Sequence, residues 1–395
     1  MKICRITSAF PPPWHGLAPG PYELSLAQSK MGHRITVITK YSKGSESVDQ
    51  KVPFRVHRIR GKRHSLFNLL SVGQFILLHS KDPFDIVHSH GDSGLGVLLL
   101  SRLLFRKIPV VSSVHIVRKA QYKAIKKFDI YKEVREILGK EESDGLLDLK
   151  KDRWELLKEK LYLKFSNALA VVSASLKDEI EREYGRFNQV FVIFNGVNLS
   201  FFNGDGFVKD RGISNGRYTI LFVGVLNGRK GEFLLIRAME KVLSEYPKVK
   251  LLIVGDGPTR SLAEELVRRM GLSDHVQFIV NLPYQEMTKC YAESDIFVLP
   301  SYSEGLPKVL LEAMASGTPV IASDIPPHKE IIKENVTGYL FKTGDVNSLA
   351  STILSALKNV KQRISDNARA LIQKEYSWRA VVERIDRVYE SLESS

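Results

Sequence analysis

Two glutamates eight positions apart, Glu304 and Glu312, bracket the run Gly305-Leu306-Pro307-Lys308-Val309-Leu310-Leu311. The first stands in a loop after an apolar strand pattern and the second inside a helical pattern. At roughly 1.5 Å of helical rise per residue the two carboxylates are about 12 Å apart, the reach from a sugar across a diphosphate to a ribose. The helix N-terminus between them presents free N–H groups and a positive dipole end, which suits a diphosphate. Pro307 fits a first helical turn but brings no donor. An ordinary capped helix with two surface glutamates explains the same letters. A second cluster is Gly224-Val225-Leu226-Asn227-Gly228-Arg229-Lys230-Gly231. Its adjacent cations in a glycine-rich loop suit a diphosphate clamp, or an exposed basic turn. Gly255-Asp256-Gly257-Pro258 has Arg260 where a dinucleotide fingerprint has its third glycine, and a tight turn is its other reading. Nearer the N-terminus, Gly16 in Pro13-Trp14-His15-Gly16-Leu17-Ala18 permits close approach of backbone to a phosphate. His115 closes a strand. A proline-rich loop and a structural histidine are the plain readings of these two.

The elements that must hold these residues alternate. In the first half, strand patterns at Lys2–Thr7, Arg34–Thr39, Phe54–Arg60, Asp85–His90, Val110–His115, Ala168–Val172 and Gln189–Phe194 are interleaved with helical ones, such as Pro21–Met31 and Ser65–His79. A long, charged, mostly helical stretch from Arg118 to Phe165 interrupts them. The second half repeats the order. Its strands are Thr219–Val223, Val249–Val254, Val276–Ile279, Ile296–Leu299 and Val320–Ala322; its helices are Glu232–Tyr246, Thr259–Met270, Tyr284–Ser294 and Pro307–Ala315. Such alternation predicts an α/β chain with two doubly wound parallel sheets. Residues 200–218, rich in Gly, Asn and Asp, predict the link between them. The expected domains are 1–200 and 201–375, with a regular C-terminal helix at 376–395. Ligands bind outside the carboxyl ends of such strands.

Composition narrows the class. With 395 residues, 44% hydrophobic and 26% charged, the chain reads as a soluble globular enzyme, not as a disordered or collagen-like chain. Two cysteines exclude a disulfide scaffold and a multi-cysteine zinc site. Met1–Thr7 has no leader pattern and no run of 18 apolar residues occurs, which predicts a cytoplasmic protein, peripheral at the inner face of the membrane if it meets one. A net charge of +14 favours anionic partners. No basic module interleaved with aromatic platforms is present, so nucleic acid is not expected. Lys51, Arg55, Arg58, Arg60, Lys62, Arg63 and Lys81 fall in a stretch without an acidic residue, around an apolar segment at Leu66–Leu78. Two readings are open: a face that docks on an anionic membrane, or a core helix beside a solvated basic strand.

These features, in this order, resemble the family 4 glycosyltransferases of the GT-B fold over nearly the whole chain. The best-matching stretches are Phe222–Gly231, Leu251–Pro258 and Phe297–Ser323. Within them Ser301-Tyr302-Ser303-Glu304-Gly305 and Leu311-Glu312-Ala313-Met314-Ala315-Ser316-Gly317-Thr318-Pro319-Val320 are the most specific. Phe191–Val197 and Met31-Gly32-His33 support them. The resemblance implies two Rossmann-like domains facing across a cleft, the first binding the acceptor and the second a nucleotide diphosphate sugar. It also implies a C-terminal helix that returns to the first domain. It implies transfer with retention at the anomeric carbon, no further cofactor and no metal. By position, Glu304 would contact the donor sugar and Glu312 the ribose. Lys230, with Arg229 and Lys308, would hold the diphosphate; Gly16 would offer its N–H to a phosphate; His115 would stand at the reacting centre. The implied acceptor is lipid-linked or a growing glycan. Val225 departs from the family's frequent arginine, His15 from a glycine, Pro307 from a glycine and Val280 from a glycine. A catalytically inactive nucleotide-sugar-binding protein and a sugar-nucleotide epimerase of the same fold are the alternatives.

Overall fold

Short runs of β-branched and apolar residues, buried on both faces, can only sit in a sheet covered by helices on each side. The computed structural model has two such sheets. It describes the chain except for residues 13, 15, 17, 62–63, 104–107, 131–151, 186, 188, 203–217, 359–361 and 394–395. His15, Lys62, Arg63, most of the linker and the middle of the charged stretch therefore lie outside the described residues.

The first sheet holds β1 (Lys2–Thr7), β2 (Arg34–Lys40), β3 (Arg55–Ile59), β4 (Ile86–His90), β5 (Val110–Val114), β6 (Ala168–Val171) and β7 (Val190–Val192), in the order β3-β2-β1-β4-β5-β6-β7. The second holds β8 (Thr219–Val223), β9 (Lys250–Val254), β10 (Val276–Ile279), β11 (Ile296–Leu299), β12 (Val320–Ser323) and β13 (Tyr339–Phe341), in the order β10-β9-β8-β11-β12-β13. All pairs are parallel. The helices are α1 (Pro19–Lys30), α2 (Ser45–Asp49), α3 (His64–Lys81), α4 (Leu95–Leu103), α5 (Arg118–Phe128), α6 (Asp152–Phe165), α7 (Ala174–Tyr184) and α8 (Glu232–Glu245). They continue as α9 (Arg260–Arg269), α10 (Met287–Glu293), α11 (Lys308–Ala315), α12 (Pro326–Ile331), α13 (Val346–Lys358), α14 (Gln362–Glu375) and α15 (Trp378–Glu393).

The chain divides into two compact units, Met1–Arg118 with Lys151–Gly196 and Ser377–Ser395, and Lys119–Lys150 with Val197–Tyr376. The charged stretch differs here from the reading that kept it whole in the first domain. Its described residues 119–130 group with the second unit, where the Phe128 ring lies 5.3 Å from that of Tyr302, while α6 groups with the first.

α15 explains how the C-terminus joins the first unit. Val382, Ile385, Val388, Tyr389 and Leu392 recur on one helical face and enter the core of Ile3, Leu24, Ile35 and Val37. Each such burial stabilises by about 1.5–3 kcal/mol. Polar ties fix its register: His33 Nε2 stands 2.9 Å from Asp386 Oδ2, and Trp378 Nε1 donates to Glu23 at 3.3 Å. Gly196 makes room for the Trp378 ring, since a Cβ there would fall 2.3 Å from it.

Candidate active site

In the second unit β8 and β11 are neighbours, with Ile220 beside Ile296 and Leu221 beside Phe297, and the strand order reverses between them. The loops that leave their carboxyl ends, 224–231 and 300–307, therefore meet. Tyr302 N donates to the Arg229 carbonyl at 2.9 Å. Gly231 adopts φ +80°, and a Cβ there would lie 2.1 Å from the Pro300 carbonyl oxygen, so only glycine lets the loops close this tightly.

This contact assembles Arg229, Lys230 and Glu304. Lys230 Nζ donates to Glu304 Oε1 at 2.5 Å, and Ser301 Oγ donates to the same oxygen at 2.8 Å. Arg229 Nη1 lies 3.7 Å from Glu304 Oε2 and also donates to the Ser303 carbonyl. The Glu304 side chain is only 7% exposed. Burial opposes its charge, but the Lys230 and Arg229 cations outweigh burial and hold the carboxyl at about 2. Glu304 is thus an anion at neutral pH, an acceptor of hydrogen bonds and not a proton donor. Behind it, Ser323 Oγ donates to the Ser301 carbonyl, and His328 Nδ1 stands 2.9 Å from the Ser323 carbonyl. His328 is fully buried and held at about 4 by burial, against the pull of Glu304.

Glu312 sits in a separate group. Tyr291 donates to its Oε2 at 3.1 Å and Tyr284 to its Oε1 at 3.4 Å. Lys308, expected with the diphosphate set, stands here instead: its Nζ is 3.8 Å from Glu312 Oε1 and 5.7 Å from the centre of the Tyr284 ring. Lysine four positions before glutamate on one helix face explains that pairing. Tyr284 in turn stacks on Phe201, with centroids 5.0 Å apart and planes 4° from parallel.

Two expectations are corrected. α11 begins at Lys308, and Pro307 is its N-cap with extended backbone rather than a first-turn residue. Half of the steps from Glu304 to Glu312 are therefore not helical, and the spacing of about 12 Å, which assumed helical rise throughout, does not apply. No side chain caps α11 among the described residues, and Leu310 N donates to the Pro307 carbonyl at 3.1 Å. The Gly255-Asp256-Gly257 segment resolves as a tight turn packed on the neighbouring loop: Leu226 N donates to the Asp256 carbonyl at 3.0 Å and Thr259 N to the Leu226 carbonyl at 3.2 Å.

In the first unit β1 and β4 lie at the corresponding reversal. Gly16, after β1, is exposed with φ +63°, and no atom lies within 4 Å of where its Cβ would be, so its backbone is open to a ligand. His115 follows β5 and ends a column of three rings. It stacks on His90 at 5.8 Å, and His90 on His88 at 4.8 Å, with planes 9° apart in each case. His88 Nδ1 shares a 2.5 Å hydrogen bond with the Tyr389 hydroxyl, and its Nε2 stands 2.7 Å from Ser113 Oγ. Fully buried Arg5, which only donates, is 3.5 Å from that Nδ1. Burial, with the Arg5 charge adding to it, holds His88 and His90 well below the ordinary histidine range. Burial brings His115 to about 4, opposed by a hydrogen bond with Asn195.

The residues that sequence reasoning passed over, Tyr284, Tyr291, His328 and His90, carry no motif of their own. Ser301 alone stood in a run already singled out. The depressed histidines carry a prediction. Between about pH 6.5 and 4 the unfolded chain binds protons that folded His115 and His328 do not. Stability therefore falls as pH drops through that window and is regained above it. Melting temperatures at pH 7 and pH 5 should show a drop at pH 5, reduced in a His115→Asn variant; an equal drop in that variant refutes the assignment for His115.

Residues 206–378 match the family model for glycosyl transferases group 1, and residues 15–201 match that for glycosyltransferase family 4. A phosphatidyl-myo-inositol mannosyltransferase of Mycobacterium leprae is 32% identical over 182 residues, 45% of this chain and 47% of that protein. The chain spans about half the length of these curated relatives. The fold is that of sucrose-phosphate synthase from Thermosynechococcus elongatus, with TM-score 0.79 and 22% identity over 100% of this chain and 99% of the other. It is also that of Anabaena HepE in complex with UDP-glucose, with TM-score 0.76 and 18% identity over 99% and 100%.

Proposed function

The chain belongs to the family 4 glycosyltransferases of the GT-B fold, and from that premise we propose that it moves a sugar from a nucleotide diphosphate donor to a hydroxyl acceptor with retention at the anomeric carbon. The observation that carries this reading is the meeting of Lys230, Arg229 and Glu304 on the two switch-point loops of the second unit. A departing diphosphate builds negative charge, and fixed cations stabilise that charge as it develops. Lys230 and Arg229 supply it without a metal. When the diphosphate takes Lys230, Glu304 turns its lone pairs to the hydroxyls of the donor sugar. Glu312, steadied by two tyrosine hydroxyls, keeps acceptor capacity for the ribose. The uncapped N-terminus of α11 adds backbone donors. In the first unit, Gly16 serves a phosphate and neutral His115 the acceptor hydroxyl. Retention is tested by proton NMR of the first product formed from an α-linked donor. An α product supports the reading and a β product overturns it.

The acceptor belongs to a membrane surface in this proposal. A relative acts on phosphatidyl-myo-inositol, and α3 has the matching surface. It buries Phe67, Ser71 and Phe75 and leaves Leu66, Leu69, Leu70, Ile76 and Leu77 exposed along the opposite face, Leu69 at 69%. The core-helix reading thus describes only one side of α3. Lys51, Arg55, Arg60 and Lys81 are exposed nearby in sequence, whereas Arg58 is committed to Asp49 at 2.8 Å and is no membrane cation. No described helix is long and apolar enough to cross a membrane. An apolar stripe with basic flanks binds in the plane of an anionic interface. The double variant Leu69→Glu/Leu77→Glu should lower co-sedimentation with phosphatidylglycerol vesicles at least tenfold while shifting stability by less than about 1 kcal/mol, as exposed sites do. Unchanged sedimentation contradicts the membrane assignment.

A further inference from the structure

Glu232 opens α8 and is fully buried, beside Phe233 and Leu235. Packing alone calls for an apolar residue there, because a buried carboxyl costs several kcal/mol unless it is well bonded (about 2–7 for a polar group and more for a charge). Its bonds show what it does instead. Gly228 N donates to Glu232 Oε1 at 2.6 Å, and the buried Thr259 hydroxyl donates to the same oxygen at 2.6 Å. Thr259 precedes α9, on the far side of the 255–258 turn. Burial pushes the carboxyl up, opposed by those two bonds and by the Arg229 charge. Between Gly228 and Glu232 lie only Arg229, Lys230 and Gly231. Their loop is further closed by Gly231 N donating to the Gly228 carbonyl at 2.9 Å and Arg229 N to the Asn227 carbonyl at 2.8 Å.

We propose that Glu232 is the positioning residue of the diphosphate clamp: by tying Gly228 to Thr259 it sets Arg229 and Lys230 in place before a donor arrives. The proposal rests on the donor reading of that loop. Its logic is preorganisation. Donors already aimed at a developing charge need no rearrangement when it forms, and a slack loop loses that advantage. Glu232 itself touches neither the diphosphate nor the sugar.

The test compares the wild type with Glu232→Leu, Glu232→Gln and Thr259→Val. Each is titrated calorimetrically with UDP, GDP and ADP, and competed with the matching nucleosides. For the nucleotide that the wild type prefers, Glu232→Leu should bind the diphosphate at least tenfold more weakly and the nucleoside within twofold. Glu232→Gln should restore diphosphate affinity to within threefold, because both bonds end on the one oxygen that the amide keeps. Thr259→Val should fall between. A folded Glu232→Leu that binds the diphosphate like the wild type overturns the proposal. So does equal loss of diphosphate and nucleoside, or a glutamine variant no better than leucine. If Glu232→Leu does not fold, Thr259→Val carries the same comparison, and unchanged diphosphate affinity in it overturns the proposal. A wild type that binds none of the three diphosphates overturns the donor reading itself.

Discussion

Lys230→Ala is expected to lower turnover of the nucleotide sugar by about 10²–10³-fold, the loss that follows removal of one preorganised donor to a developing charge. The ammonium does two tasks, and the variant exposes both. In the proposed reaction Lys230, with the donor bound, stabilises the departing diphosphate. Without it, Lys230 is the 2.5 Å partner of Glu304, whose side chain is 7% exposed. Removing one member of such a buried pair leaves the other uncompensated, at a cost of about 3–5 kcal/mol. The melting temperature should therefore fall together with turnover. The pH dependence separates this from a general packing defect. In the wild type the Glu304 carboxyl sits at about 2 against an ordinary 4.5. A depressed carboxyl contributes stability that is present above pH 4.5 and lost as pH falls toward 2. In Lys230→Ala that acid-sensitive contribution should shrink, because arginine 3.7 Å away is the remaining cation close to the carboxylate among the described residues. A variant with wild-type turnover contradicts the assignment of Lys230.

Glu304→Gln is the second large effect, with opposite signs in two measurements. Hydrogen bonds to a charged acceptor are worth about 1.5–3 kcal/mol, so losing the anion beneath the sugar should cut kcat about 10- to 100-fold. The same change frees Lys230 and Arg229 from their carboxylate partner. The nucleoside diphosphate, which carries its own negative charge to those cations, should then bind several-fold more tightly. Steady-state kinetics and product-inhibition constants read the two effects separately. A fall in both kcat and diphosphate affinity is the signature of a distorted loop and would remove Glu304 from the sugar contact.

Much of this arrangement was legible in the sequence, for physical reasons. Buried parallel strands are short apolar runs, and the apolar patterns of β1, β5, β8 and β9 give way at once to Ser8, His115, Gly224 and Gly255, where the loops begin. The alternation then gives a parallel sheet, and the sheet's reversal places loops 224–231 and 300–307 together. β13 was not legible because its three residues are too few to show a pattern. α13 carries Leu349, Ala350, Ile353 and Leu357 at helical spacing, but neither it nor α14 bears a motif that ties it to the site. The partners of Glu312 were hidden for another reason. Tyr284 and Tyr291 reach it from 28 and 21 positions away, and only the folded loop after β10 brings them there. The same holds for the histidine column, where the sequence offered His115 alone. His90 and His88 join it because β4 and β5 are paired, Ser89 beside Ser112 and His90 beside Ser113.

In the proposed reaction the second unit sets two fixed cations, with no metal, against a departing nucleoside diphosphate. This is tested most directly by mixing the purified chain with UDP-, GDP- and ADP-sugars in EDTA and measuring release of nucleoside diphosphate, with anionic phospholipid vesicles as acceptor and with Lys230→Ala in parallel. The expected result is release from one donor class, undiminished by EDTA and lost in the variant. Release that requires a divalent cation, or that survives unchanged in Lys230→Ala, contradicts it.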